Sequence, residues 1–93
     1  MIEIVFEEEA LRSVARDRAR EVGECCCRAE NGVWTAFHTE VDPAYGGQGI
    51  AGRLVAAVAQ AARQRGVKIV PTCSYVVRLF DTKQEYADVD ARR

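Results

Sequence analysis

The sequence predicts an α/β fold in a single domain over residues 1–93, and three observations carry that prediction. Two β-prone runs flank Glu30-Asn31-Gly32, whose Asn-Gly step is a strong hairpin signal. Ile50, Leu54, Val55, Val58, Ala61 and Ala62 recur at the spacing of one buried helix face. Between strand and helix stands a glycine cluster, Gly46-Gly47-Gln48-Gly49. With 48% hydrophobic and 29% charged residues in 93, the chain can form one small core, which excludes disorder as its main state.

Taken in order, Ile2–Phe6 is β-prone and reads as a first strand. Residues 7–22 are ambiguous: Ala, Leu, Arg and Glu favour helix, yet the apolar spacing is poor and a strand within Val14–Ala19 is equally allowed. Glu24–Ala29 and Val33–Val41 form the hairpin strands. Strict alternation in the second places Val33, Thr35, Phe37, Thr39 and Val41 on one face, and Trp34, Ala36, His38 and Glu40 on the other. Asp42-Pro43 ends that strand, because proline has no N–H for the ladder. The long helix runs from Ile50 to a stop at Gly66, with Arg63 and Arg65 favourable in its last turn. Val67–Pro71 reads as a short buried strand, followed by a short helix near Tyr75–Phe80 and a charged tail.

Thirteen Lys and Arg against fourteen Asp and Glu leave a net charge of −1. That balance excludes nucleic acid or an anionic membrane as the main partner, since both require a concentrated positive surface. No apolar run is long enough to cross a bilayer, and the first residues lack the basic and apolar regions of a secretory signal, so a cytoplasmic protein is expected. Reduced thiols follow for Cys25, Cys26, Cys27 and Cys73. Cys25, Cys27, Cys73 and His38 would make a zinc site only if the fold gathered them; the paired spacing of such sites is missing, and no metal is expected.

Gly47-Gln48-Gly49-Ile50-Ala51-Gly52 is a literal G-x-G-x-x-G, but a dinucleotide fold needs an acidic residue about 20 positions later. None occurs between Arg53 and Phe80, and no Gly-Lys-Ser/Thr follows to make a P-loop. What survives is physical. Glycines let the backbone approach a ligand closely, and the helix they feed offers N–H groups without internal partners, which together suit a pyrophosphate. A plain glycine-rich turn is the alternative.

The blocks Phe37-His38-Thr39-Glu40-Val41, Asp42-Pro43-Ala44-Tyr45 and Gly47-Gln48-Gly49-Ile50-Ala51 resemble the short, single-domain GCN5-related N-acetyltransferase-like proteins, whose pattern reads H-T-E-V-x-P-x-Y/F-R-G-x-G-I-A. The likeness continues through a helix, a strand ending in Cys73 with Tyr75 beyond, and Glu85-Tyr86-Ala87-Asp88. It spans Asn31 to Val89. The resemblance implies the minimal acetyltransferase fold: a mixed, mostly antiparallel sheet of four or five strands with one long helix and one short one. It also implies an acetyl-CoA-dependent acyltransferase acting on an amine of a small molecule or peptide, as a monomer or weak homodimer. Val41 would border the pantetheine arm; Gly47, Gln48, Gly49, Ile50, Ala51, Gly52 and Arg53 would take the pyrophosphate. The chain departs from the pattern at Gly46, where Arg or Gln is usual, at Ser74 for Pro, at Leu79 for Tyr, and at Lys83-Gln84 for His-Pro. These departures leave a CoA-binding module without catalysis as the alternative, with a thiol or metal-binding interaction domain behind it.

For the chemistry, the sequence offers Cys73, His38 and Glu40. Cys73 ends the strand after the cofactor helix, and His38 lies on the neighbouring strand, so the two are expected to form a reactive pair, with the thiol as nucleophile or as acid to the leaving thiolate. Glu40 is expected on the His38 face, orienting the imidazole or serving as base itself. Cys25, Cys26 and Cys27 read as strand filler, with Cys26 facing away from the other two. Tyr75 and Tyr86 read as packing residues.

Overall fold

The computed structural model describes residues 1–93 and shows five strands in one sheet, ordered β1-β2-β3-β4-β5. They are β1 (Ile2–Glu7), β2 (Arg12–Asp17), β3 (Arg20–Glu30), β4 (Val33–Val41) and β5 (Ile69–Pro71); the helices are α1 (Ile50–Arg65) and α2 (Ser74–Thr82). The first four strands pair antiparallel and β5 pairs parallel to β4, which is the expected mixed sheet with one long and one short helix.

Of the two readings open for residues 7–22, a strand forms, but over Arg12–Asp17 and not within Val14–Ala19, since Arg18 and Ala19 make the turn to β3. Leu11 (φ 55°) and Arg18 (φ 60°) adopt left-handed backbone at the two turns, so the chain folds into a meander before the Asn-Gly hairpin. Ser13, Val14 and Ala15 are fully buried in β2, and that burial overrides the helix preference of the surrounding residues. At the predicted turn Asn31 (φ 53°) and Gly32 (φ 79°) are both left-handed, as a two-residue hairpin loop requires.

The alternation expected along β4 fails at one residue. Cys26 pairs with His38 but Cys27 pairs with Ala36, leaving Phe37 without a partner. An extra residue of this kind resets which face each later side chain occupies. Trp34 and Ala36 therefore belong to the core, whereas His38 and Glu40 turn to the opposite face. Trp34 fills the interior, stacked on Phe6 with ring centroids 5.6 Å apart, and does not share a face with His38.

One face of the sheet packs on α1. Leu54, Val55, Val58 and Ala62 bury against Ala15, Cys25, Cys27 and Ala36 in a single cluster that also takes in Val76 and Phe80 of α2. The buried Ser13 hydroxyl donates to the Leu54 carbonyl at 2.7 Å. Helix and sheet approach so closely at Gly23 that a Cβ there would stand 3.1 Å from the Glu40 carbonyl oxygen and 3.2 Å from Leu54. Gly66 closes α1 in the left-handed conformation expected of it. Beyond α2 the charged tail is docked. Ile69 donates to the Val89 carbonyl, Ala91 donates back to Ile69, and Arg92 neutralises the buried Asp90.

Candidate functional site

A cradle forms where the glycine cluster enters α1. Gly47 (φ 77°) and Gly49 (φ 75°) are left-handed, and a Cβ on either would meet nothing within 4 Å. The first internal bond of the helix runs from the Arg53 N–H to the Gly49 carbonyl. No backbone acceptor takes the N–H groups of Ile50, Ala51 and Gly52, no side chain caps the helix, and its first turn holds no acidic residue. Three donors and the positive end of a 16-residue helix thus point into open space, which is the chemistry of an anion site. The adjoining cleft, about 250 Å³, is lined by Val41, Tyr45, Gly46, Gly47, Gly49, Ile50, Ala51 and Tyr75. Five of the eight cofactor residues read from the sequence line it. Gln48 is exposed on the loop, Gly52 faces the Tyr75 hydroxyl, and Arg53 turns aside to donate to the Ile2 carbonyl at 3.3 Å. Sequence reasoning missed Tyr45 and Tyr75 as cleft walls. Tyr45, anchored by its hydroxyl to Asp17 at 2.7 Å, carried a signal only as part of the motif.

Next to the cradle the sheet opens. β5 follows β4 from Trp34 to Ala36 only, after which the N–H groups of Thr72 and Cys73 both turn to the Ala36 carbonyl. Residues 38–41 of β4 are left without a strand on that side. Cys73 occupies the opening, in extended backbone at the N-terminus of α2. Its thiol donates to the Thr39 hydroxyl at 3.6 Å. Burial disfavours the thiolate, but the N–H groups of Val76, Tyr75 and Thr39 and the Thr39 hydroxyl outweigh it, so the thiol ionises below its ordinary range.

His38 lies elsewhere. Its Nε2 is 3.4 Å from Glu24 and 3.3 Å from Glu40, on the sheet face away from α1. Thr39, the adjacent residue, points to the other face and meets Cys73, because neighbours on a strand alternate. The structure thus brings His38 together with Glu40, as expected, but not with Cys73. The slip at Phe37 is what parts the pair, and the zinc set of Cys25, Cys27, Cys73 and His38 is divided between the two faces for the same reason. His38, Glu24 and Glu40 do offer three metal-ligating atoms within 4.8 Å of one another. Arg12 competes for that charge, bonding Glu24 at 2.6 Å, Glu7 at 2.8 Å and Glu21 at 3.0 Å, and holds the Glu24 carboxyl below its usual range. Beside this cluster a cleft of about 400 Å³ is lined by Glu21, Val22, Gly23, Glu24, Glu40, Asp42 and Pro43. Val41 borders the glycine cleft, while Glu40 and Asp42 on either side of it border the acidic one.

An open strand edge beside a glycine cradle and a helix N-terminus without a cap defines a small α/β protein whose helix start has the chemistry of an anion site. The family model described as GCN5-related N-acetyl-transferase matches residues 12–89, and the chain belongs to that family. The match extends the likeness back over β2 and β3, beyond the blocks that carried it in the sequence. No curated protein matches. Among solved structures the chain is similar to a GCN5-like protein from Staphylococcus aureus at 29% identity and TM-score 0.74, over 95% of this chain and 86% of that one. It is also similar to the ribosomal-protein-S18-alanine N-acetyltransferase of Escherichia coli (18%, TM-score 0.68, 84% of this chain and 54% of that one). A third is AAC(6')-Iy in complex with the bisubstrate analogue CoA-S-monomethyl-acetylneamine (20%, TM-score 0.57, 86% and 66%). The latter two show the shared fold. The chain spans about half the length of the E. coli enzyme.

Proposed function

We propose that this protein is an acetyl-CoA-dependent N-acetyltransferase, with the pyrophosphate at the α1 cradle, the pantetheine along residues 38–41 of β4, and an amine as acceptor. The observation that carries the reading is the set of uncapped N–H groups of Ile50, Ala51 and Gly52 behind left-handed Gly47 and Gly49. Family membership supports the reaction type, and the CoA complex of AAC(6')-Iy supports the cofactor.

Acetyl-CoA supplies a thioester; the chain supplies its placement and a reactive group. Cys73 is the residue we assign to the chemistry, activated by the start of α2 and by Thr39 instead of by His38. As a nucleophile its thiolate would take the acetyl group and release CoA thiolate; as an acid its thiol would give a proton to that leaving group. The readier ionisation of Cys73, below the ordinary thiol range, favours the first role. His38 and Glu40 are assigned to the acceptor side, where the carboxylates of the larger cleft favour an amine that arrives as a cation and the pair can take up its proton. Gly46, where an arginine or glutamine is usual, leaves the cradle one cation short.

Titration calorimetry with acetyl-CoA tests the cradle. Gly49→Asp places a negative side chain at the helix start and should weaken binding at least tenfold. Unchanged affinity in the folded variant would make the loop a mere turn and end this reading.

A further inference from the structure

Cys25 has no part in the mechanism so far, yet it lies on the core face directly opposite Thr39 across the β3–β4 ladder. The Thr39 hydroxyl donates to the Cys25 sulfur at 3.6 Å and accepts from the Cys73 thiol at the same distance. One hydroxyl thus joins two thiols, one at the sheet opening and the other 1% exposed beneath it. We propose that Thr39 and Cys25 are positioning residues for the Cys73 thiolate, joined to it in a thiol–hydroxyl–thiol chain that reverses direction when Cys73 loses its proton. The proposal rests on Cys73 as the reactive thiol.

The reversal follows from donor counting. A neutral Cys73 donates to Thr39, whose own proton then goes to Cys25. A thiolate has nothing to donate and needs donors, so the Thr39 O–H turns toward it. Oxygen loses its donor from one side and regains one from the other, because Cys25 S–H can turn to Thr39 Oγ1. Cys25 must keep its proton for this, and it does: burial pushes its thiol up to about 11. The Glu24 carboxylate acts in the same direction, pushing the Cys25 thiol up and helping it keep its proton. From β3 the titratable groups on this face are Cys25 itself and Cys27, whose thiol burial also pushes up; Glu24 and His38, neighbours of Cys25 and Thr39, point to the opposite face toward Arg12 and Glu40. From α2 come the N–H groups of Tyr75 and Val76. A thiolate held by N–H groups on one side and a hydroxyl on the other is fixed in direction as well as charge.

The test is alkylation of Cys73 in the full-length chain by iodoacetamide, followed by peptide mass spectrometry across pH, with no acetyl donor present. Only the thiolate reacts, so the pH midpoint reports its ionisation. Thr39→Val, nearly isosteric, should move the midpoint upward and slow alkylation at neutral pH by about 3–10-fold; Thr39→Ser should restore it. Cys25→Ala should move it the same way by less, and serves alone if Thr39→Val does not fold. Wild-type midpoints in both folded variants would overturn the chain while leaving Cys73 as the reactive thiol. A wild-type midpoint at or above that of a free cysteine would instead overturn the activated Cys73 on which the proposal stands.

Discussion

His38 and Thr39 are adjacent in β4, and the two faces they serve differ in almost every physical respect. On the Thr39 side the sheet is covered by α1 and α2, and a thiol is tuned by N–H groups and a hydroxyl instead of by charged side chains. On the His38 side Arg12 sits among Glu7, Glu21 and Glu24, and a histidine lies between two carboxylates. The lesson is that sequence proximity on a strand separates chemistry as effectively as distance does. A covered, thiol-bearing face and a charged face can share one strand, each built by every second residue.

The sharpest way to break this comparison is to ask whether the faces act as one unit. Cys73→Ser should keep acetyl-CoA affinity and lower turnover about 10²-fold. His38→Gln should lower turnover about tenfold and raise the acceptor KM, with Cys73 alkylation unchanged. In the double variant the two effects should multiply. A double variant no slower than Cys73→Ser alone would reunite thiol and imidazole as a single catalytic pair.

Stability should separate the faces next. Leu54→Ala opens a cavity on the covered face and should cost about 2–5 kcal/mol in urea unfolding. Arg12→Ala, on the charged face, should cost roughly 1 kcal/mol, because its half-buried ion pairs still reach water, where each is weak and the gain comes chiefly from the network. The pH dependence sharpens the contrast. Glu24 ionises below its usual range when folded, chiefly through its bond to Arg12, so its stabilisation is complete above the unfolded carboxyl value and is lost as pH falls through the folded one. The Arg12→Ala penalty should therefore shrink in acid while the Leu54→Ala penalty stays. An acid-insensitive Arg12→Ala penalty would mean that its stem packing, not its charge, supports that face.

The smallest effect concerns the cradle. Gly46 has ordinary extended backbone (φ −64°), and a Cβ there would stand 3.3 Å from the Pro43 carbonyl oxygen, a contact that a slight loop shift relieves. Gly46→Arg should tighten acetyl-CoA binding about two- to fivefold by adding a cation near the pyrophosphate. No gain at low salt would place position 46 too far from the phosphates to matter.

Much was legible before any coordinates. Asn31-Gly32, Gly66, the α1 stripe and the glycine cluster each act through local backbone preference or short-range periodicity, so the residues themselves dictate the turn, the stop, the buried face and the uncapped helix start. The ordered blocks from His38 to Ala51 carried the family. Three decisions belonged to tertiary structure alone. Residues 7–22 folded into the sheet because Ser13 and Ala15 gain more from burial beneath α1 than from helix preference. His38 left the core face because one unpaired residue, Phe37, resets the alternation, and nothing in Trp34-Thr35-Ala36-Phe37-His38 marks where a ladder with β3 will slip. Cys25 met Thr39 and Cys73 because pairing register and the divergence of β4 from β5 bring together residues 25, 39 and 73. Local preferences reach a few residues along the chain, whereas register and burial are settled only when distant segments compete for the same core.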